Sequence, residues 1–151
     1  RAAIADLIDR WSAGPTIARM ALHRRWEGLS APDRLELGRL LRQLTAARAA
    51  IALARDGITE FTLLETRPVA GTDCLVASRV VDRRGRTRIV HWRMRPRAQG
   101  TRFVDLLVDG VSLTRNLRDE LDAILRDNGG NTEDLTKRLR NAIARTSRRP
   151  K

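Results

Sequence analysis

The hydrophobic period of this chain changes twice, and that constrains its fold more than any other feature. From Ser30 to Ala54 apolar residues recur every three or four positions, at Leu37, Leu40, Leu41, Leu44, Ala47 and Ile51. This is the period of a helix with one buried stripe. Beyond Gly57 the period falls to two: in RIVHWRM, Val90, Trp92 and Met94 fall on one face while His91, Arg93 and Arg95 fall on the other. After Ser112 the helical period returns, with Leu113, Leu117, Leu121 and Ile124 spaced by four, four and three. Helices, then a run of strands, then helices again is the order of an α+β domain, because helical and strand segments are segregated rather than alternating.

The punctuation places the elements. Ala2 to Trp11 reads as a first helix, Gly14-Pro15 breaks the chain, and a second helix is expected from Thr16 to Glu27 with Ile17, Met20, Leu22 and Trp26 inward. Ser30 caps the long helix, Pro32 fits its first turn and Asp33 stands three residues after the cap; Asp56-Gly57 ends it. Four strands follow, over Ile58 to Val69, Asp73 to Val81, Thr87 to Met94 and Arg102 to Val108. Arg84-Gly85 turns a hairpin, and the short links favour a meandering antiparallel sheet with one covered apolar face. Val104, Leu106 and Val108 are expected on one side of the last strand. Gly110 then redirects the chain, Ser112 caps the next helix, and its leucine stripe folds back over the sheet. Gly129-Gly130 ends that helix, and Thr132 starts a last one with Leu135, Leu139 and Ile143 inward, fraying after Ala144.

The chain has 151 residues, 42% of them apolar, enough for one domain with a single sizeable core. We assign residues 1–146 to that domain and 147–151 to a basic tail. No run reaches the roughly 18 apolar residues of a membrane span. The start at Arg1, with neither methionine nor apolar leader, reads as a processed or trimmed chain whose signal peptide, if any, is gone. A lone Cys74 excludes an internal disulfide and a cysteine-based metal framework.

The net charge of +12 is spread evenly, with 10 basic and 6 acidic residues in each of the parts divided at Asp56 and Gly110. Two runs are basic without any acid: eight arginines from Arg83 to Arg102, and seven cations from Lys137 to Lys151. Such a surface suits an anionic partner as well as it suits plain solubility. Nucleic acid is disfavoured as that partner. With no tyrosine, two phenylalanines and three tryptophans, the chain lacks a stacking platform, and it has no helix-turn-helix or zinc-finger spacing.

Catalytic signals are weak. Ser112 lies in Gly-Val-Ser-Leu-Thr, without the second glycine of a nucleophile elbow, and suits a helix cap. His23 and His91 stand on different elements with no ligand spacing around them. Asp105 and Asp109, read as sharing one strand face, fit solvent or pairing with neighbouring arginines better than an acid/base pair. We therefore expect neither an enzyme nor a cofactor or metal.

Phe103, Asp105, Asp109, Gly110, Val111, Ser112, Leu113, Asn116 and Arg118 make up a pattern of strand, acidic-Gly-Val-Ser-Leu turn and helix. In this pattern the chain resembles the MlaC (toluene-tolerance) family of periplasmic phospholipid-binding proteins, the auxiliary carriers of an ABC-type lipid transport system. IARMALHRRWEGLSAPDRLELGRLL and RIVHWRMRP extend the likeness, which runs from about Ile17 to Ile143. Leu117 and Leu121 stand where the family carries aromatics, and the expected Phe-Asp pair is absent near Pro15-Thr16.

The resemblance implies a four-stranded twisted antiparallel sheet wrapped by about five helices around an apolar cavity. It also implies a periplasmic carrier of phospholipid, or of another lipid such as a hopanoid, that shuttles cargo between membrane-anchored components of the inner and outer membranes. The apolar faces supply the candidate lining. From the strands we select Val90, Trp92, Met94, Val104, Leu106 and Val108; from the helices, Leu40, Leu44, Leu117 and Leu121. The same residues would serve equally to fill a solid core. Arg93, Arg95 and Arg97 are candidates for lipid headgroups or an acidic partner face.

Overall fold

The computed structural model describes residues 2–54 and 57–148; the expected helix end at Asp56 and the last three residues of the basic tail lie outside them. Five helices, α1 (Ala2–Trp11), α2 (Gly14–Leu22), α3 (Ala31–Ala54), α4 (Leu113–Asp127) and α5 (Thr132–Arg148), accompany five strands, β1 (Ile58–Pro68), β2 (Cys74–Asp82), β3 (Thr87–Arg95), β4 (Arg102–Val108) and β5 (Val111–Ser112). The strands form one antiparallel meander in the order β1-β2-β3-β4-β5. No helix among the described residues is long and apolar enough to cross a membrane.

Local chemistry accounts for these elements. At the start of α3 the Ser30 hydroxyl accepts from the Asp33 N–H (3.2 Å) and donates to the Asp33 carboxylate (2.6 Å). The second expected helix is two pieces: α2 begins early, at Gly14, and a 3-10 turn over His23–Gly28 follows it. Pro15 starts α2 rather than breaking the chain, because proline suits a first turn whose N–H has no partner. Gly14 is needed there, since a Cβ would stand 3.2 Å from the Gly38 carbonyl oxygen of α3. At the other end of the chain, Asn131 caps α5 by accepting from the Asp134 N–H at 2.8 Å, and the helix continues past Ala144 to Arg148.

The fifth strand is the other departure. Asp109 and Gly110 both have positive φ, +51° and +82°. They form the two-residue hairpin turn that an Asp-Gly pair favours, so the chain doubles back and Val111 pairs with Val108 before α4 begins.

Apolar burial divides into two cores. In the helical core, Leu37, Leu40, Leu41 and Leu44 of α3 pack with Ala18, Ala21 and Leu22 of α2, Leu117, Leu121 and Leu125 of α4, and Leu135 and Leu139 of α5. The second core lies between helices and sheet, where Ile8 of α1 and Ala46, Ala49 and Leu53 of α3 meet Val80, Val90, Phe103 and Leu106. α3 is long enough to serve both, its first half in the bundle and its second half across the sheet.

Candidate functional site

Strand register defines the apolar face of the sheet. Leu63, Ser78, Val90 and Val108 form one cross-strand row; Thr66, Val76, Trp92 and Leu106 form the next; Pro68, Cys74, Met94 and Phe103 form a third. Helices α1 and α3 cover the β3–β4 side, where Val90, Phe103 and Leu106 are buried. Cover thins toward β2 and ends at β1, whose eleven residues are all exposed. Phe61 (52% exposed) and Leu63 (65%) thus continue an apolar surface beyond its helical roof.

Trp92 links the covered and open halves. Its ring meets Phe61 edge-on at 6.4 Å and Phe103 at 6.3 Å, a row of aromatic contacts from β1 to β4. The indole N–H donates to the Ser78 hydroxyl at 2.9 Å, and that hydroxyl donates to the Val90 carbonyl at 3.2 Å. The fully buried Ser78 thereby satisfies the indole's polar atom within an otherwise apolar face.

Among the described residues, little room lies beneath the roof. Ala52, Leu53, Val80 and Val90, together with Asp82, Arg86 and Arg88, line a recess of about 20 Å³, space for about one water molecule. Two larger hollows among the described residues are polar. One of about 480 Å³ runs between Met20, Arg93, Asp105 and the first turns of α4, and another of about 750 Å³ lies between the N-terminal ends of α3 and α5.

The structure distributes the candidate lining residues unevenly. Val90, Trp92, Met94, Leu106 and Val108 share the apolar face. Val104 does not keep their alternation: it is the extra residue of a β-bulge, between Asp105 opposite Arg93 and Phe103 opposite Met94. Phe103 takes its place in the row. Leu40, Leu44, Leu117 and Leu121 come together in the helical core, away from the sheet. The exposed apolar residues of β1 escaped the sequence reading because two further irregularities, at Thr59 and Leu64, break the alternation that would have marked them.

Of the candidate arginines, Arg93 and Arg95 sit on the opposite face and Arg97 in the loop after β3, and all three are engaged. Arg93 and Arg95 both bind Asp73, at 2.7 and 2.6 Å, and the Asp73 side chain is only 1% exposed. The hydrogen bond from Arg95, reinforced by that from Arg93, holds the Asp73 carboxyl below its ordinary pKa against the opposing effect of burial. Arg97 donates to the Thr16 hydroxyl at 3.2 Å. No sequence signal marked Asp73, since its partners become neighbours only once β2 and β3 are in register.

Asp105 also departs from expectation. It is buried, 5% exposed, and forms no ion pair among the described residues. Its carboxylate accepts from the Leu106 N–H (2.8 Å), the Thr114 N–H (3.0 Å) and the Ser112 hydroxyl (2.6 Å). Ser112 is the expected cap, accepting from the Arg115 N–H at 3.0 Å. Together they pin the N-terminus of α4 to β4, which suits a buried anion at a positive helix end. Asp109, placed in the turn, is exposed. Among the described residues no three His, Cys, Asp or Glu side chains group as a metal site.

The MlaC protein family matches residues 1–141. The chain belongs to the MlaC family. Among solved structures, a phospholipid-binding protein from Ralstonia solanacearum, determined in complex with a phospholipid, matches with a TM-score of 0.78 at 18% identity. The match covers 97% of this chain and 84% of that one, so the MlaC fold extends over nearly the whole molecule. The search of curated proteins returned no match.

Proposed function

We propose that this MlaC protein is a non-enzymatic periplasmic carrier that binds phospholipid acyl chains and passes lipid between membrane-anchored components of the inner and outer membranes. One observation carries the reading: the apolar sheet face continues past its helical roof onto β1, leaving Phe61 and Leu63 in water beside the partly buried Trp92 and Met94. The phospholipid held by the Ralstonia solanacearum protein of the same fold supports it.

In this reading the acyl chains enter between the sheet and α1/α3 at the open β1–β2 side. Val90, Trp92, Met94, Leu106 and Val108 form the floor, with Phe61 and Leu63 at the entrance. The narrow recess must widen, and each methylene taken from water returns about 0.8 kcal/mol toward that opening. Arg86, paired with Asp82 at 2.7 Å, and Arg88 line the recess and would meet a lipid phosphate there. Leu40, Leu44, Leu117 and Leu121 hold the helical bundle as a rigid support, so the moving part is the interface of α1 and α3 with the sheet. Because Asp105 ties α4 to β4, α4 stays with the sheet during opening.

Transfer of a fluorescent phospholipid from donor to acceptor vesicles tests the reading. The protein should accelerate transfer, and Phe61→Glu should reduce the acceleration while leaving the far-ultraviolet circular dichroism unchanged. A protein that transfers nothing, or a folded Phe61→Glu variant as active as the parent, would contradict it.

A further inference from the structure

β1 is an eleven-residue edge strand, exposed throughout, with no strand on its outer side among the described residues. That is about twice the usual strand length, and soluble proteins normally shorten, charge or cover such an edge. Phe61, Leu63 and Leu64 stand half or more exposed along it. The strand also carries Glu60, Glu65 and Arg67, a local excess of acid in a chain of net charge +12. None of the three forms an ion pair with another described residue.

The bulge at Leu64 determines what this edge can pair with. Register with β2 puts Phe61, Leu63, Thr66 and Pro68 on the apolar face, and Glu60, Thr62, Glu65 and Arg67 on the other. The two faces therefore exchange odd and even positions half-way along the strand. In a two-fold antiparallel pair, opposed residues must share a face. A regular strand meets that condition only with the axis through a residue, whereas this strand meets it with the axis between two residues.

We infer that β1 pairs antiparallel with β1 of a second copy about a two-fold axis between Leu63 and Leu64, joining the two sheets into one. That register sets Glu60 opposite Arg67 of the other copy, twice, and Thr62 opposite Glu65. On the apolar face it sets Phe61 opposite Thr66, and at the axis it sets Leu63 opposite the bulged Leu64. Moving the axis one residue toward the N-terminus would oppose Glu60 to Glu65 twice. Moving it one residue toward the C-terminus would leave Glu60 opposite Val69 and Glu65 opposite Leu64. Of these three registers only the central one matches opposite charges, and it leaves the apolar face of both copies open on one side of the joined sheet. The pairing rests on β1 alone and stands apart from the lipid reading.

Sedimentation equilibrium of the parent chain and its charge variants tests the pairing, with circular dichroism to confirm folding. The parent should dimerise reversibly. Glu60→Arg and Arg67→Glu should each weaken dimerisation at least about tenfold, since two attractive cross-strand pairs become repulsive. The double variant Glu60→Arg/Arg67→Glu should recover the parent affinity, and mixing the two single variants should yield a heterodimer tighter than either homodimer. A parent that stays monomeric to its solubility limit, or a dimer indifferent to these changes, would overturn the inference.

Discussion

Replacing Asp105 by alanine should loosen α4 from the sheet more than any other change of one polar side chain among the described residues. The carboxylate accepts three hydrogen bonds, from the Leu106 and Thr114 N–H groups and the Ser112 hydroxyl, and is 5% exposed. Thr114 is buried as well, so its N–H would lose its partner without reaching water. A stranded buried donor costs about 1–3 kcal/mol. Two stranded backbone donors, together with about 0.3–1 kcal/mol for losing an anion at a helix N-terminus, give a total of about 2–7 kcal/mol. Asp105→Asn retains an oxygen for both N–H groups and offers the Ser112 oxygen a donor instead of an acceptor, so its cost should be about 1–2 kcal/mol. Urea denaturation followed by circular dichroism separates the two. With a slope of about 2 kcal/mol/M, the alanine midpoint falls by roughly 1–3.5 M and the asparagine midpoint by roughly 0.5–1 M. An alanine variant within about 0.5 kcal/mol of the parent, or an asparagine variant as unstable as the alanine one, would refute the reasoning.

Acid should expose the Asp73 cluster. Its carboxyl pKa is lowered in the folded protein from 3.8, so its contribution is complete above that value and is lost as pH falls through the folded pKa. Asp73→Asn should therefore destabilise the protein at neutral pH and flatten the decline in stability below about pH 4; equal declines in both proteins would contradict the assignment. Leu44→Ala, in the helical core, should cost about 2–5 kcal/mol in urea unfolding yet leave bound lipid per folded molecule unchanged; loss of lipid in the folded variant would place that leucine at the cargo. Ser78→Ala should leave the Trp92 N–H without its partner and red-shift the emission of a variant in which Trp11 and Trp26 are phenylalanine, an unchanged spectrum being the contrary result.

The periodicity of the chain carried the architecture because burial of one face imposes it. α1 spans the residues that its pattern predicts, β4 matches residue for residue, and the Ser30 and Ser112 caps lie where the sequence puts them. Departures cluster where one local signal was read too broadly. Asp109-Gly110 served as a bend when its chemistry makes a hairpin, and Gly14-Pro15 served as a breaker when it starts a helix. The candidate site was less legible for a different reason. Leu40 and Leu106 are equally apolar and both buried, yet one belongs to the bundle and the other to the sheet. Period alone separates inside from outside, whereas assignment to one of two cores depends on how α3 crosses the molecule. Bulges added a second loss, moving Val104 out of its row and hiding the apolar edge of β1.

Native mass spectrometry of the purified chain, followed by denaturing lipid extraction, tests the central claim most directly. The account predicts a protein ion carrying one phospholipid, released on extraction with a phospholipid mass, while a hopanoid mass would keep the carrier and replace its cargo. A protein that emerges without lipid and takes up none from phospholipid vesicles would contradict the claim that this apolar face carries lipid.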